Sequence, residues 1–77
     1  MNTQNLTERL KESWPCPLVP RNEVGKFSGG LLNSGTMANL DSKGEGPQGK
    51  VAFGKVRVAY DRDLLIDWLV SRLGGQN

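Results

Sequence analysis

Between Ser42 and Arg57 the chain sets four cations, Lys43, Lys50, Lys55 and Arg57, against one anion, Glu45. A cluster of one sign is an electrostatic footprint for a polyanion, and phosphate contact is the chemistry it suits. Just upstream, Ser34, Thr36 and Asn39 carry short polar side chains. Thr36, Asn39 and Lys43 fall at i, i+3 and i+7, which places them on one face of a helix. Asn pairs most naturally with an adenine edge, Ser can meet a base edge, and Thr or Lys suits a phosphate oxygen. Each residue also has a plainer use. A polar helix face is solvated, Thr36 can help a helix start satisfy its free amides, and hairpin cations keep an exposed edge unpaired.

Other chemistries are poorly supplied. The chain of 77 residues has no histidine and a single cysteine, Cys16, so the usual zinc ligand sets, His-dependent dyads and an internal disulfide are not expected. Asp61, Asp63 and Asp67 lie in the first turns of a helix, where capping and dipole pairing explain them better than acid–base work. We therefore expect no enzyme, no cofactor, no metal and no small-molecule substrate. The net charge of +2 and pI near 9.0 are mild, so the placement of charge says more than its sum. The polar start, Met1 to Ser13, does not resemble a signal peptide, and no apolar run approaches the roughly 20 residues of a membrane span. A reducing cytoplasm is the expected compartment.

The elements that must position these residues follow from spacing. Asn5 to Ser13 reads as a short helix capped by Asn5, with Leu6, Leu10 and Trp14 at i, i+4. That stripe suits docking on the domain or on a partner, or a frayed terminus. Pro15, Pro17 and Pro20 force an extended connector in which Leu18 and Val19 turn inward. Residues 1–17 thus form a helix and Pro-rich connector, and 18–77 the main domain. Arg21 to Phe27 predicts a short helix burying Val24 and Phe27, stopped by Ser28-Gly29-Gly30; Arg21 and Lys26 flank it. Asn33 or Ser34 caps a second helix to about Ser42, with Met37 and Leu40 inward. Asp41, on the same helix, would repel phosphate if it faced it.

Alternation on both sides of Gly54-Lys55 predicts a hairpin with a two-residue loop. In that register Val51 faces Val58 and Phe53 faces Val56. Val51, Phe53, Val56, Val58 and Tyr60 then share a buried face, while Lys50 and Arg57 share the other. Asp61 caps the strongest helix, Arg62 to Leu73, in which Leu65, Leu69 and Leu73 line up beside Ile66, Trp68 and Val70. Phe53 and Trp68 read as core.

Four patches of this chain resemble the excisionase-type winged helix-turn-helix family, small relatives of the MerR DNA-binding domain. Val19-Pro20-Arg21-Asn22-Glu23-Val24 is similar to its opening, and Ser34-Gly35-Thr36-Met37 through Ser42-Lys43-Gly44 to its recognition helix. The stretch Val51 to Tyr60, with Gly54-Lys55 at the tip, resembles its wing. Asp61-Arg62-Asp63-Leu64 with Trp68-Leu69 resembles its closing helix. The resemblance covers Leu18 to Leu73 in order. It implies an α+β winged helix-turn-helix of short helices, a two-stranded hairpin and a C-terminal helix. The implied function is sequence-preferring binding of double-stranded DNA in recombination or transcription, in phages or mobile elements. The helix at 34–42 would enter the major groove and the wing at 50–57 would meet backbone or minor groove. DNA contacts would come from Ser34, Thr36, Asn39, Lys43, Lys50, Lys55 and Arg57. Partners would be DNA, an integrase or recombinase, or further copies of the chain. The rival expectation is a protein-interaction module of the same fold, docking an integrase, a repressor or itself.

Overall fold

The computed structural model of the chain describes residues 3–54 and 57–74, with side chains over 6–54 and 57–72. Its elements are α1 (Thr3–Ser13), β1 (Leu18–Pro20), a 3-10 turn at Arg21–Glu23 running into α2 (Val24–Phe27), α3 (Ser34–Ser42), β2 (Lys50–Phe53), β3 (Arg57–Asp61) and α4 (Arg62–Gly74). Together they make a small α+β fold with four helices and a three-stranded antiparallel sheet in the order β1-β3-β2.

The Asp61 carboxylate accepts the Leu64 amide at 3.0 Å, which caps α4 as its sequence predicts. Leu65, Ile66 and Leu69 on this helix are buried. Each contributes about 1.5–3 kcal/mol of burial free energy. They share a core with Val19, Val24, Phe27, Leu32, Met37 and Tyr60, and Trp68 packs against it half-buried.

Helix α1 begins at Thr3, so Asn5 lies inside it and is not its cap. Leu10 and Trp14 pack against the core, and the Trp14 ring meets Phe27 edge-on at 5.8 Å. Arg62 secures this segment: its backbone amide donates to the Pro17 carbonyl at 2.8 Å and its Nη1 to the Trp14 carbonyl at 3.1 Å. Of the alternatives for the apolar stripe, docking on the domain is the one observed.

The connector holds a third strand that the sequence analysis did not predict. Period two turns only one of two adjacent residues inward. Val19 is fully buried, while Leu18 is 42% exposed, contrary to the expectation that both face the core. Pro20 closes the strand at the sheet edge, where a missing amide donor is tolerated.

The hairpin differs from expectation by one residue. Lys50 pairs with Tyr60, Val51 with Ala59, Ala52 with Val58 and Phe53 with Arg57. Three residues, 54–56, therefore separate the paired ends instead of two. A one-residue slip sends every side chain of one strand to the other face. Val51 and Phe53 accordingly lie outside, 47% and 78% exposed, and Phe53 is not core. Tyr60 is fully buried and Val58 packs against the core. Lys50 and Arg57 stand on opposite faces, not on one. Val56 lies outside the described residues.

The first helix of the pair is shorter than predicted, since Arg21–Glu23 is a 3-10 turn and only Val24–Phe27 is α-helical. The glycines stop it as expected: Gly29 and Gly30 have φ of 67° and 94°, and the Gly30 amide donates to the Gly25 carbonyl at 2.8 Å. The buried Ser28 hydroxyl donates to the Val24 carbonyl and accepts the Leu32 amide, which leads the chain into α3.

Candidate nucleic-acid interface

Of the two caps considered for α3, Asn33 is the one used: its Oδ1 accepts the Thr36 amide at 2.8 Å. Met37 is fully buried and Leu40 half-buried, so the opposite side of the helix faces solvent. Gly35, Ala38, Asn39 and Ser42, at i, i+3, i+4 and i+7, are all exposed there. Ser34, Thr36 and Lys43 are exposed beside them. Thr36, Asn39 and the C-cap Lys43 therefore lie together on one side of this exposed arc, and Ser34, about 160° from Thr36 around the axis, lies at its other edge. Apart from Lys43, no side chain on this surface is bulky, so its backbone is open to close approach.

The hairpin candidates are divided. Lys50 is exposed on the sheet face that carries Tyr60, whereas Arg57 is exposed on the outer face beside Phe53. Lys55 lies outside the described residues. The structure thus unites Thr36, Asn39 and Lys43, leaves Ser34 at the far edge of the same helix, and separates Lys50 from Arg57. Lys26 is exposed, 4.0 Å from Glu23.

A network that the sequence analysis missed joins helix and sheet. Asp41 Oδ2 accepts from Arg21 Nη2 and from the Tyr60 hydroxyl, both at 2.6 Å. Arg21 Nε also donates to the Tyr60 oxygen at 3.0 Å. The Asp41 side chain is 9% exposed, so the charge feared as a phosphate repellent is turned inward and neutralised. A legible signal existed. Asp41 follows the buried Met37 by four residues, and an acid on the inward side of a helix requires a cation. Arg21 is held above its already high ordinary pKa, first by its bond with Tyr60 and also by Asp41, and stays charged.

Tyr60 is the single tyrosine of the chain. Burial first, then its bond to Asp41, raises its pKa above the ordinary 10.0, against a smaller opposing effect of Arg21. A phenol with a raised folded pKa contributes stability that is complete below the unfolded value and lost as pH rises through the folded one. Titrating the phenolate absorbance is therefore expected to give an apparent pKa above 10 in the native protein, with stability declining over the same alkaline window. In denaturant the value should return to that of free tyrosine.

Among the described residues, no group of three or more His, Cys, Asp or Glu is placed to hold a metal. No helix of the described residues is long and apolar enough to cross a membrane. An open groove between the loop at 44–48 and α4 is lined by Glu45, Leu64, Asp67 and Trp68, with the Trp68 indole donating to the Glu45 carbonyl at 3.1 Å. Its acidic lining is unsuited to phosphate, so it stands apart from the α3 surface. Compared with family models, with curated proteins and with solved structures, the chain gives no match in any of the three.

Proposed function

We propose that this chain is a small winged helix-turn-helix protein that binds double-stranded DNA with sequence preference, as an excisionase-like architectural or transcriptional regulator of the cytoplasm. It acts as a binder, not an enzyme. The observation that carries the reading is the outward surface of α3, small and polar from Ser34 to Lys43, on a helix whose inner side is tied to β3. The element order supports it too: helix, strand, two short helices, hairpin, helix is the order of a winged helix. In this reading α3 enters the major groove, Asn39 and Ser34 meet base edges, and Thr36 and Lys43 meet phosphates. Lys55 and Arg57, with Lys50, bring the wing to the adjacent backbone or minor groove.

The test is a titration on random duplex DNA at two salt concentrations, with wild type and a Lys55→Ala/Arg57→Ala variant. Wild type is expected to lose affinity with salt, and the variant's logarithmic salt slope to be flatter by about 0.9 for each phosphate contact removed. Asn39→Ala should instead change the preference among sequences. Failure of wild type to bind at low salt would overturn the proposal.

One observation favours a second reading. Leu18, Val51 and Phe53, with Arg57, form an exposed apolar outer sheet face. Patches of this kind mark protein contacts. A module docking an integrase, a repressor or another copy through this face would show a partner complex or oligomer without salt-sensitive DNA retention.

A further inference from the structure

We infer that Asp41 is a positioning residue: the carboxylate gripped by Arg21 and Tyr60 sets the orientation in which α3 is presented beside the hairpin. The consequence for recognition rests on the DNA-binding reading above, but the mechanical role does not. Helix α3 has nine residues and only two apolar anchors, Met37 and Leu40. Apolar contacts are non-directional, so two of them hold a short helix against the core without fixing its rotation. Charge-assisted hydrogen bonds are directional and shorter. Asp41 makes two at 2.6 Å, to donors from different elements: Arg21 at the entry to α2 and Tyr60 in β3. A third element meets the same group. The Gly46 backbone packs so closely on Asp41 Oδ1 that any side chain at 46 would collide with it, and this loop leads directly into β2. One carboxylate therefore bonds α3 to the turn that enters α2 and to the middle strand, with the loop that starts the hairpin packed against it.

Two variants separate positioning from simple stabilisation. Tyr60→Phe removes one donor to Asp41 and the acceptor of Arg21 Nε, leaves the Arg21–Asp41 pair in place, and changes neither charge nor ring packing. Amide hydrogen exchange is expected to quicken at least roughly tenfold in α3 while α4 stays unchanged, the effect of losing charge-assisted bonds locally. Equal acceleration of α3 and α4, or of neither, overturns the inference, and this arm needs no DNA. Asp41→Asn keeps the shape and removes one negative charge. Electrostatics alone then predicts tighter binding to every duplex. Positioning predicts that affinity for random DNA is kept or raised, while discrimination in favour of a duplex selected by wild type falls at least about tenfold. Unchanged discrimination overturns it. If wild type binds no duplex at all, the DNA reading fails and the exchange experiment alone decides.

Discussion

Met37→Ala is expected to destabilise the protein by about 2–5 kcal/mol, through the lost transfer free energy of the side chain and the cavity left behind. A chain of this length has a total unfolding free energy of roughly 4–12 kcal/mol, so the loss is a large part of the whole. Met37 is fully buried and is the deeper of the two apolar anchors of α3. Its removal should therefore loosen the helix before the rest of the core. Urea titration with circular dichroism would measure it, the midpoint falling while the slope is maintained. Met37→Leu, which conserves volume, should cost less than about 1.5 kcal/mol. A similar loss in both variants would mean that sulfur chemistry, not packing volume, holds α3.

Gly49→Ala carries the second large effect. Gly49 has φ of 85°, and an added Cβ would stand 2.6 Å from Leu64 Cδ1 and 3.0 Å from Asp61 Cβ. Alanine in this backbone region costs about 1–2 kcal/mol before any contact is considered. The Leu64 methyl can swing away because that side chain is 41% exposed. Asp61 has no such freedom: its carboxylate caps α4, and its amide donates to the Gly49 carbonyl at 3.0 Å. The total is expected to reach at least about 2 kcal/mol, with loss of the first β2–β3 pairing and of the α4 cap together. Gly54→Ala is the matched control. Gly54 has φ of 71° but nothing among the described residues within 4 Å of an added Cβ, so the backbone term dominates. Thermal unfolding of the two variants should differ by the collision alone, and equal melting points would refute the contact.

The caps of α3 and α4 and the stop of α2 were readable because they are local, whereas the starts of α1 and α2 were not. Asn33 and Asp61 bond amides three residues ahead, and Gly29-Gly30 follow directly on the helix they stop. The inward Met37 of α3 and Leu65, Ile66 and Leu69 of α4 were readable for the same reason, since period 3.6 needs only a window of one helix; the side chain of Leu73, expected in the same line, lies outside the described residues. Register is different. Alternation on either side of Gly54-Lys55 is compatible with a two- or a three-residue loop, and nothing local chooses between them. The pairing of β3 with β1, Val19 opposite Tyr60, holds Tyr60 inward in either register, so the whole difference lies in how β2 is placed along β3. β1 itself was hidden because its last residue is Pro20, which reads as a strand breaker until the strand is known to lie at an edge. Of the candidate site, the exposed α3 surface could be read from spacing. The partner of Asp41 could not, because Arg21 and Tyr60 lie 20 and 19 residues away in the chain.

The length of the hairpin tip has a consequence for how such a chain can change by descent. With β3 anchored on β1, removing one residue from 54–56 would move β2 by one position along its neighbour. Period two then carries Val51 and Phe53 inward and brings Lys50 and Ala52 to the outer face. A single codon deletion would set Lys50 and Ala52 beside Leu18 and Arg57 in place of Val51 and Phe53, without altering any side chain on the strand. The number of residues between the paired ends thus decides which half of β2 shares a face with Leu18 and Arg57.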